Sequence, residues 1–500
     1  MAIRGNGWVS AAGPGRAGLV CLLAMGCAGP GPTLLPAVPA KIEPAAGGAT
    51  LQWYDTNGDA RLDYAEEVGA DGRVGKLRYS TGKAIEEVDL RAIPPGERRD
   101  LVLILDSVPF AMVQQAWRHG GFQFFPRPTR TIAPFPVLTD PCLVDFFHLL
   151  PGVAIESDYY DGKGQTRPYD VYLGGGVAVW HPRVDYWLSH TAHGSAYLDQ
   201  LPWFDHELRR IQDGFDRSGK TTFIGYCVGT SALGALRGWD GHAIGISRVD
   251  RFCHAMMFRT RGRLRITLLS DHGHNNVPAS RRIPLTDLLR EMGYRITDRL
   301  QAPGDLVVPE FAMVSSAAIY TRTPAPVARA VVQIEGIELS AYREADDGIV
   351  VLSRDGEARV RKSPGGYRYE VGMGDPLRLT PILDRLKQQG RIEPDGCFAD
   401  AVLLEATRDH IYPDAVDRLW RTFHEQFKHP PDVLISVQDG YHCGSAFQTR
   451  AVGALKAVHG NLGPLSSSGF AMTTAGELPE VLRMRDLADA LAGLGMDLQR

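Results

Sequence analysis

Four short apolar runs punctuate the chain: "LVLILD" (101–106), "TFIGYCV" (222–228), "LRITLLSD" (264–271) and "DVLISVQD" (432–439). Near-continuous apolar character over six to eight residues, without alternation, is the pattern of strands buried on both faces. Amphipathic stretches with helical spacing stand between them, such as "FDHELRRIQDGF" before the second and "DAVDRLWRTFHEQF" before the fourth. Strands alternating with helices predict a doubly wound parallel α/β sheet, which collects ligands at the carboxyl ends of its strands. Three of the four runs end on aspartate. Between about 290 and 400 the rhythm changes to shorter, β-rich pieces, "ARAVVQIEGIELSAY", "GIVVLS", "EARVRK" and "GYRYEV", which predict an inserted, mostly antiparallel lobe. "GFDRSGKT" (214–221) fits the phosphate-loop formula, but a helical stretch precedes it and a strand follows, the reverse of the order that formula needs.

At 44% hydrophobic and 22% charged residues the chain can bury a large core, and a net charge of -4 without a basic face gives no nucleic-acid-binding surface. Arg4 and Arg16 precede the apolar run "AGLVCLLAMG", too short for a bilayer and long enough for a signal-peptide core. Residues 1–26 are therefore expected to be cleaved and the protein exported, as a periplasmic or membrane-anchored bacterial protein. "LAMGC" is similar to a lipobox, which offers Cys27 for lipidation as the alternative to ordinary cleavage. A Pro/Gly/Ala-rich stretch over 27–50 is expected to be a flexible tether. Within the following 51–97 segment, "DTNGDARLDYAE" has the oxygen spacing of a calcium loop at Asp55, Asn57, Asp59, Asp63 and Glu66; a polar hairpin turn is the competing reading. The remaining cysteines, Cys142, Cys227, Cys253, Cys397 and Cys443, are scattered and odd in number, which predicts isolated buried thiols.

The chemistry-bearing residues sit at strand ends. Asp106 closes the first run, and Asp271 with His272 closes the third. Two carboxylates and an imidazole brought to adjacent strand ends suit zinc or a similar borderline cation. Thr139, in "FPVLTDPC", opens a helical stretch; its hydroxyl beside a cation becomes a candidate nucleophile.

The order "LILD", "PVLTDP", "SDHG" and "VHGNLGPLSS" resembles the alkaline phosphatase superfamily, in particular its type I phosphodiesterase/nucleotide pyrophosphatase branch, from about residue 98 to the C-terminus. The resemblance implies an alkaline-phosphatase-like doubly wound central sheet with helices on both faces, formed by 98–289 and 401–500, and an inserted cap lobe at 290–400. It implies Thr139 as the nucleophile attacking phosphorus, one metal on Asp106, Asp271 and His272, and a second on an Asp and a His four residues apart together with His459. By register, Ser231 and Ala235 of "GTSALGALRG" occupy those Asp and His positions. A hydroxyl and a methyl cannot replace them as zinc ligands. Asp240 and His242 lie nearby in sequence and are candidate replacements, but their spacing aims them differently from an i, i+4 pair and they are expected to belong to the loop and helix start; His274 and Asn275 directly follow the motif as further candidate helpers and are expected to face solvent. Two functions remain open: an exported, metal-dependent hydrolase of a small phosphate ester, or a degraded relative that binds phosphoryl ligands or acts as a scaffold.

Overall fold

The computed structural model describes residues 31–167, 178–189, 196–310, 313–446, 449–450, 453–496 and 498. In chain order, β1 (Lys41–Pro44), β2 (Thr50–Tyr54), β3 (Tyr64–Val68), β4 (Val74–Ser80) and β5 (Ile85–Asp89) form an antiparallel sheet of sequential neighbours. The site-bearing part follows: β6 (Arg99–Leu105), α1 (Phe110–Arg118), β7 (Thr129–Ile132), α2 (Thr139–Phe146), α3 (Gln200–Ser218), β8 (Thr222–Cys227), α4 (Gly229–Arg237), α5 (Trp239–Arg259) and β9 (Leu264–Leu269). After these come β10 (Asp305–Val307), β11 (Ser316–Thr321), β12 (Ile337–Arg343), β13 (Ile349–Ser353), β14 (Gly356–Ser363), β15 (Gly366–Met373) and β16 (Val433–Val437). The chain closes with β17 (Ser468–Thr473), β18 (Val481–Arg483) and α6 (Met484–Gly493).

The central sheet has the order β8-β6-β9-β17-β7-β18; β8, β6 and β9 run parallel, and β17 is antiparallel to both β9 and β7. Its strands are apolar throughout because both faces are covered. Leu101, Leu103 and Leu105 of β6 pack into one core with side chains of α1, α3 and α5, whereas Val102 and Ile104 point the other way into a core shared with α2 and α6. The fold is thus the α/β arrangement that the alternating pattern implies. α3 ends at Ser218 and β8 begins at Thr222, so "GFDRSGKT" joins a helix to a strand and is no phosphate loop.

The run 432–439 departs from expectation. β16 lies in the lobe's own eight-stranded sheet, between β11 and β12 and antiparallel to both. An apolar strand buried on both faces looks the same in sequence whichever sheet it joins. The expected tether over 27–50 is also corrected in its described part. β1 pairs with β2, Leu35 is buried in the core with α3 and α5, and the Thr33 amide donates to Gln212 of α3. All five cysteines from Cys142 to Cys443 are buried free thiols, as expected. The signal segment and Cys27 lie outside the described residues, among which no helix is long and apolar enough to cross a membrane.

Candidate active site

The parallel strands β6 and β9 are adjacent and end in register, which delivers Asp106 and Asp271 to the same edge of the sheet. At the end of β6 the backbone of Ser107 turns into the left-handed region (φ 63), and its amide donates to Asp271 Oδ1 at 3.0 Å. The His272 amide donates to the same oxygen at 2.8 Å. Asp106 is held from both sides, by Ser107 Oγ at 2.6 Å on Oδ1 and by the Tyr226 hydroxyl at 2.7 Å on Oδ2. Gly273 lets the chain leave the site against the 465–468 backbone, because a Cβ there would meet the Leu465 carbonyl oxygen at 2.1 Å.

Asp106, Asp271 and His272 are all buried, and one ligand atom from each lies within 4.8 Å of the others. In this group Asp271 Oδ2 and His272 Nε2 have no hydrogen-bond partner and stand 3.5 Å apart. An unpaired buried carboxylate oxygen beside an unpaired imidazole nitrogen is costly unless a third group joins them. Tetrahedral zinc with bonds of about 2.0–2.1 Å separates its ligand atoms by roughly 3.3 Å, so these two fit a shared cation. The titration of the group agrees. Burial, and then the Asp271 charge, raise the Asp106 carboxyl far above its ordinary value, and burial raises Asp271 to about 6. Burial also lowers His272 to about 4, leaving a neutral imidazole with a free lone pair.

Thr139 is the first residue of α2, at the helix end whose leading amides lack intrahelical partners. Its hydroxyl is close enough to help hold the Asp271 carboxyl down and to act on Tyr226 as well. Nucleophile candidate and metal candidates therefore meet. The neighbouring Asp140 turns aside and accepts from Trp180 Nε1 at 2.7 Å. His459 joins the group from the C-terminal segment: its ring stacks on His272 at 4.3 Å between centroids, and its Nδ1 lies 2.8 Å from the Val137 carbonyl oxygen. Donation from Nδ1 leaves Nε2 as the free nitrogen.

Ser231 and Ala235 are buried on one face of α4, as the i, i+4 spacing requires. No carboxylate or imidazole accompanies them on that helix. Ser231 Oγ instead lies 3.3 Å from both Ser107 Oγ and the Tyr197 hydroxyl, and Ala235 packs with Ala279, Leu455 and Val458. α4 itself is held by Glu207, whose carboxylate accepts from the Val228 and Gly229 amides at 3.0 and 2.7 Å.

Asp240 lies at a helix start, as expected, exposed in the first turn of α5; other expectations about the surrounding residues need correction. His274 and Asn275 are buried rather than solvent-facing: Asn275 donates to Asp439 and accepts from the Val458 amide, and His274 Nδ1 lies 3.1 Å from His242 Nε2. The sequence offered no periodic signal for that pair, since one imidazole comes from α5 and the other from the loop after β9.

The calcium reading of 55–66 also gives way to the hairpin. Glu66 lies on β3 with no exposure, accepting from the Tyr64 hydroxyl and facing His254 Nδ1 at 2.8 Å, so it cannot close the loop. Asp55, Asn57 and Asp59 accept from the loop's own amides, and Asp63 accepts from Thr56. These are the side-chain-to-backbone bonds of a polar turn.

No family model matches the sequence, and no curated protein matches it. Similar solved structures include human ectonucleotide pyrophosphatase/phosphodiesterase 5, at 12% identity over 80% of this chain and 95% of that one, with a TM-score of 0.43. An inactive variant of the murine protein in complex with AMP shares 13% identity over 79% and 94%, with a TM-score of 0.43. Phosphonoacetate hydrolase from Sinorhizobium meliloti in complex with phosphonoacetate shares 10% over 80% and 95%, with a TM-score of 0.41.

Proposed function

We propose that the protein is an exported, metal-dependent hydrolase of small phosphoric esters, with Thr139 as nucleophile. The observation that carries this reading is the pair of orphaned ligand atoms, Asp271 Oδ2 and His272 Nε2, buried beside Asp106 and within reach of the Thr139 hydroxyl. A zinc-class ion held by Asp106, Asp271 and His272 would supply Lewis-acid polarisation and lower the pKa of the adjacent hydroxyl. Thr139 presents its oxygen at the start of α2, where the helix amides favour a phosphoryl anion. The buried carboxylates accept the cation only when both are ionised, and Tyr226 and Ser107 orient Asp106 for that role. The test is hydrolysis of a simple aryl phosphodiester with added zinc. Wild type is expected to turn over and Thr139→Ala to lose activity by at least about a hundredfold; equal rates would overturn the assignment. Lipidation at Cys27 is tested by the mass of the mature chain from a bacterial host, cleavage without an acyl group being the contrary result.

The hydroxyl and methyl groups of Ser231 and Ala235 favour a second reading, in which the fold binds phosphoryl ligands with little turnover. Tight phosphate binding with no zinc-dependent hydrolysis would select it.

A further inference from the structure

A cavity opens next to Thr139 where the lobe meets the core. Leu138, the residue before Thr139, lines it together with Pro136 and Ile155, and the lobe supplies Val314, Ala318 of β11 and Leu434 of β16. Ala318 and Leu434 stand opposite each other in the β11–β16 pair, so a methyl group occupies a place where a larger side chain would fill the space. Glu156, mostly buried, is also part of the lining. We propose that this cavity binds one ester arm of the substrate, a short aliphatic chain ending in a primary ammonium, and that Glu156 recognises the ammonium. This rests on the preceding functional reading, which holds the phosphoryl group at Thr139, and deepens it by naming the substrate class.

Three observations carry it. The first is position and size. The residues on both sides of Thr139 bear on the cavity: Leu138 lines it, and Asp140 is close enough to act on the Glu156 carboxyl, as is Asp106. An arm attached to a phosphorus at Thr139 therefore has the cavity within reach. Its free space of about 50 Å³ has room for roughly three to five water-sized atoms, at about 10–15 Å³ each. An aminoethyl arm fits that space and a nucleobase does not.

The second is charge. Among the described residues the lining contains three carboxylates, Glu156, Asp158 and Glu310, and no lysine, arginine or histidine. Two of the three are engaged: Asp158 accepts from Gln165 Nε2 at 2.7 Å, and Glu310 accepts from the Thr286 hydroxyl at 2.9 Å and faces Arg282 at 3.5 Å. Glu156 is not. No hydrogen bond or cation holds its proton affinity down, and burial, then Asp140 and Asp106, raise its carboxyl well above the ordinary value. A carboxyl among aliphatic walls is costly to ionise without a partner. An ammonium supplies both the missing donor and the missing charge, whereas an anionic arm would meet three carboxylates.

The third is the character of the walls. They are aliphatic, and no aromatic ring lines the cavity among the described residues. A quaternary ammonium is recognised chiefly by the faces of aromatic rings. A primary ammonium instead offers three N–H donors to a carboxylate, and its methylene stem is covered by side chains such as Leu138, Ile155 and Leu434.

The experiment is calorimetric titration of the zinc-loaded full chain with three phosphates that differ in one arm: 2-aminoethyl phosphate, ethyl phosphate and 2-carboxyethyl phosphate. Wild type is expected to bind the aminoethyl ester at least about tenfold more tightly than the ethyl ester, and the carboxyethyl ester more weakly than either. Glu156→Gln should bring the aminoethyl-to-ethyl ratio close to one. Ala318→Leu, which fills the cavity without touching the charge, should also remove the preference. That pattern supports the inference. Equal affinities for the aminoethyl and ethyl esters in wild type, or a preference that survives in Glu156→Gln, overturn it, and Thr139-dependent diester hydrolysis then leaves the proposed function standing. Failure of all three phosphates to bind, together with no hydrolysis, overturns both.

Discussion

Replacing Asp271 with asparagine separates the cost of the metal-free site from its use. Asp271 is fully buried, and burial raises its carboxyl from 3.8 to about 6. Each tenfold change in proton affinity is worth about 1.4 kcal/mol, so ionising this carboxyl inside the apoprotein costs about 3 kcal/mol relative to the unfolded chain. Because the folded state binds its proton more tightly, that stability is fully present below about pH 3.8 and is lost as pH rises through about 6. An asparagine oxygen can still accept from the Ser107 and His272 amides, while its amide group carries no charge to bury and relieves the neighbouring Asp106. In EDTA, Asp271→Asn is therefore expected to match wild type near pH 4 and to be more stable by about 3 kcal/mol at pH 8. Zinc should reverse the order: at a thousandfold excess over Kd it adds about 4.1 kcal/mol to wild type and little to the variant. Urea unfolding followed by tryptophan fluorescence at pH 4, 6 and 8, with EDTA or zinc, measures both. A variant less stable than wild type in EDTA at pH 8, or a difference that ignores pH, would refute the reasoning.

Installing Ser231→Asp with Ala235→His should lower the melting temperature in EDTA, because a third carboxylate enters a buried site, and should raise zinc-dependent diesterase activity; unchanged activity counts against a deficient second site. Glu66→Gln should cost about 3–5 kcal/mol by removing the buried charge that faces His254, with Asp250 alone left to pair it. Against the penalty of burial, Glu66 and Asp250 hold the His254 proton up to about 10, so wild-type stability falls as pH rises from 6.5 to 10, and urea midpoints of the variant should fall less steeply. Gly234→Ala gains about 1 kcal/mol of helix propensity but drives a methyl into His242, and a net loss of about 1–3 kcal/mol is expected by thermal melting; a stabilised protein would mean that the imidazole moves freely.

The central sheet was legible where strands carry aspartate at their ends, since Asp106 and Asp271 mark both the strand and the edge it reaches. β16 was misassigned because "VLISV" carries no mark of its partner strands, and only the closure of the lobe decides that it pairs with β11 and β12. That Thr139 opens a helix was readable from the proline-bounded turn before it. His242 and His274 could be named as neighbours of the site, but their meeting could not be foreseen, because it depends on the packing of α5 over α4 and on the absence of a Cβ at Gly234, and neither leaves a periodic trace. Oxygen spacing alone likewise overstated the 55–66 loop, whose direction of exit into β3 sends Glu66 inward.

β17, formed by residues 468–473, is inserted between β9 and β7 rather than added at an edge. The ribosome has to deliver the chain through residue 473 before the middle of the sheet can close, and the segment bearing His459 arrives only shortly before that strand. Assembly of the site thus waits until β17 has been made, so a nascent chain stalled before residue 468 would carry Thr139 and the Asp106, Asp271 and His272 group yet expose the apolar flanks of β9 and β7 to chaperones or proteases.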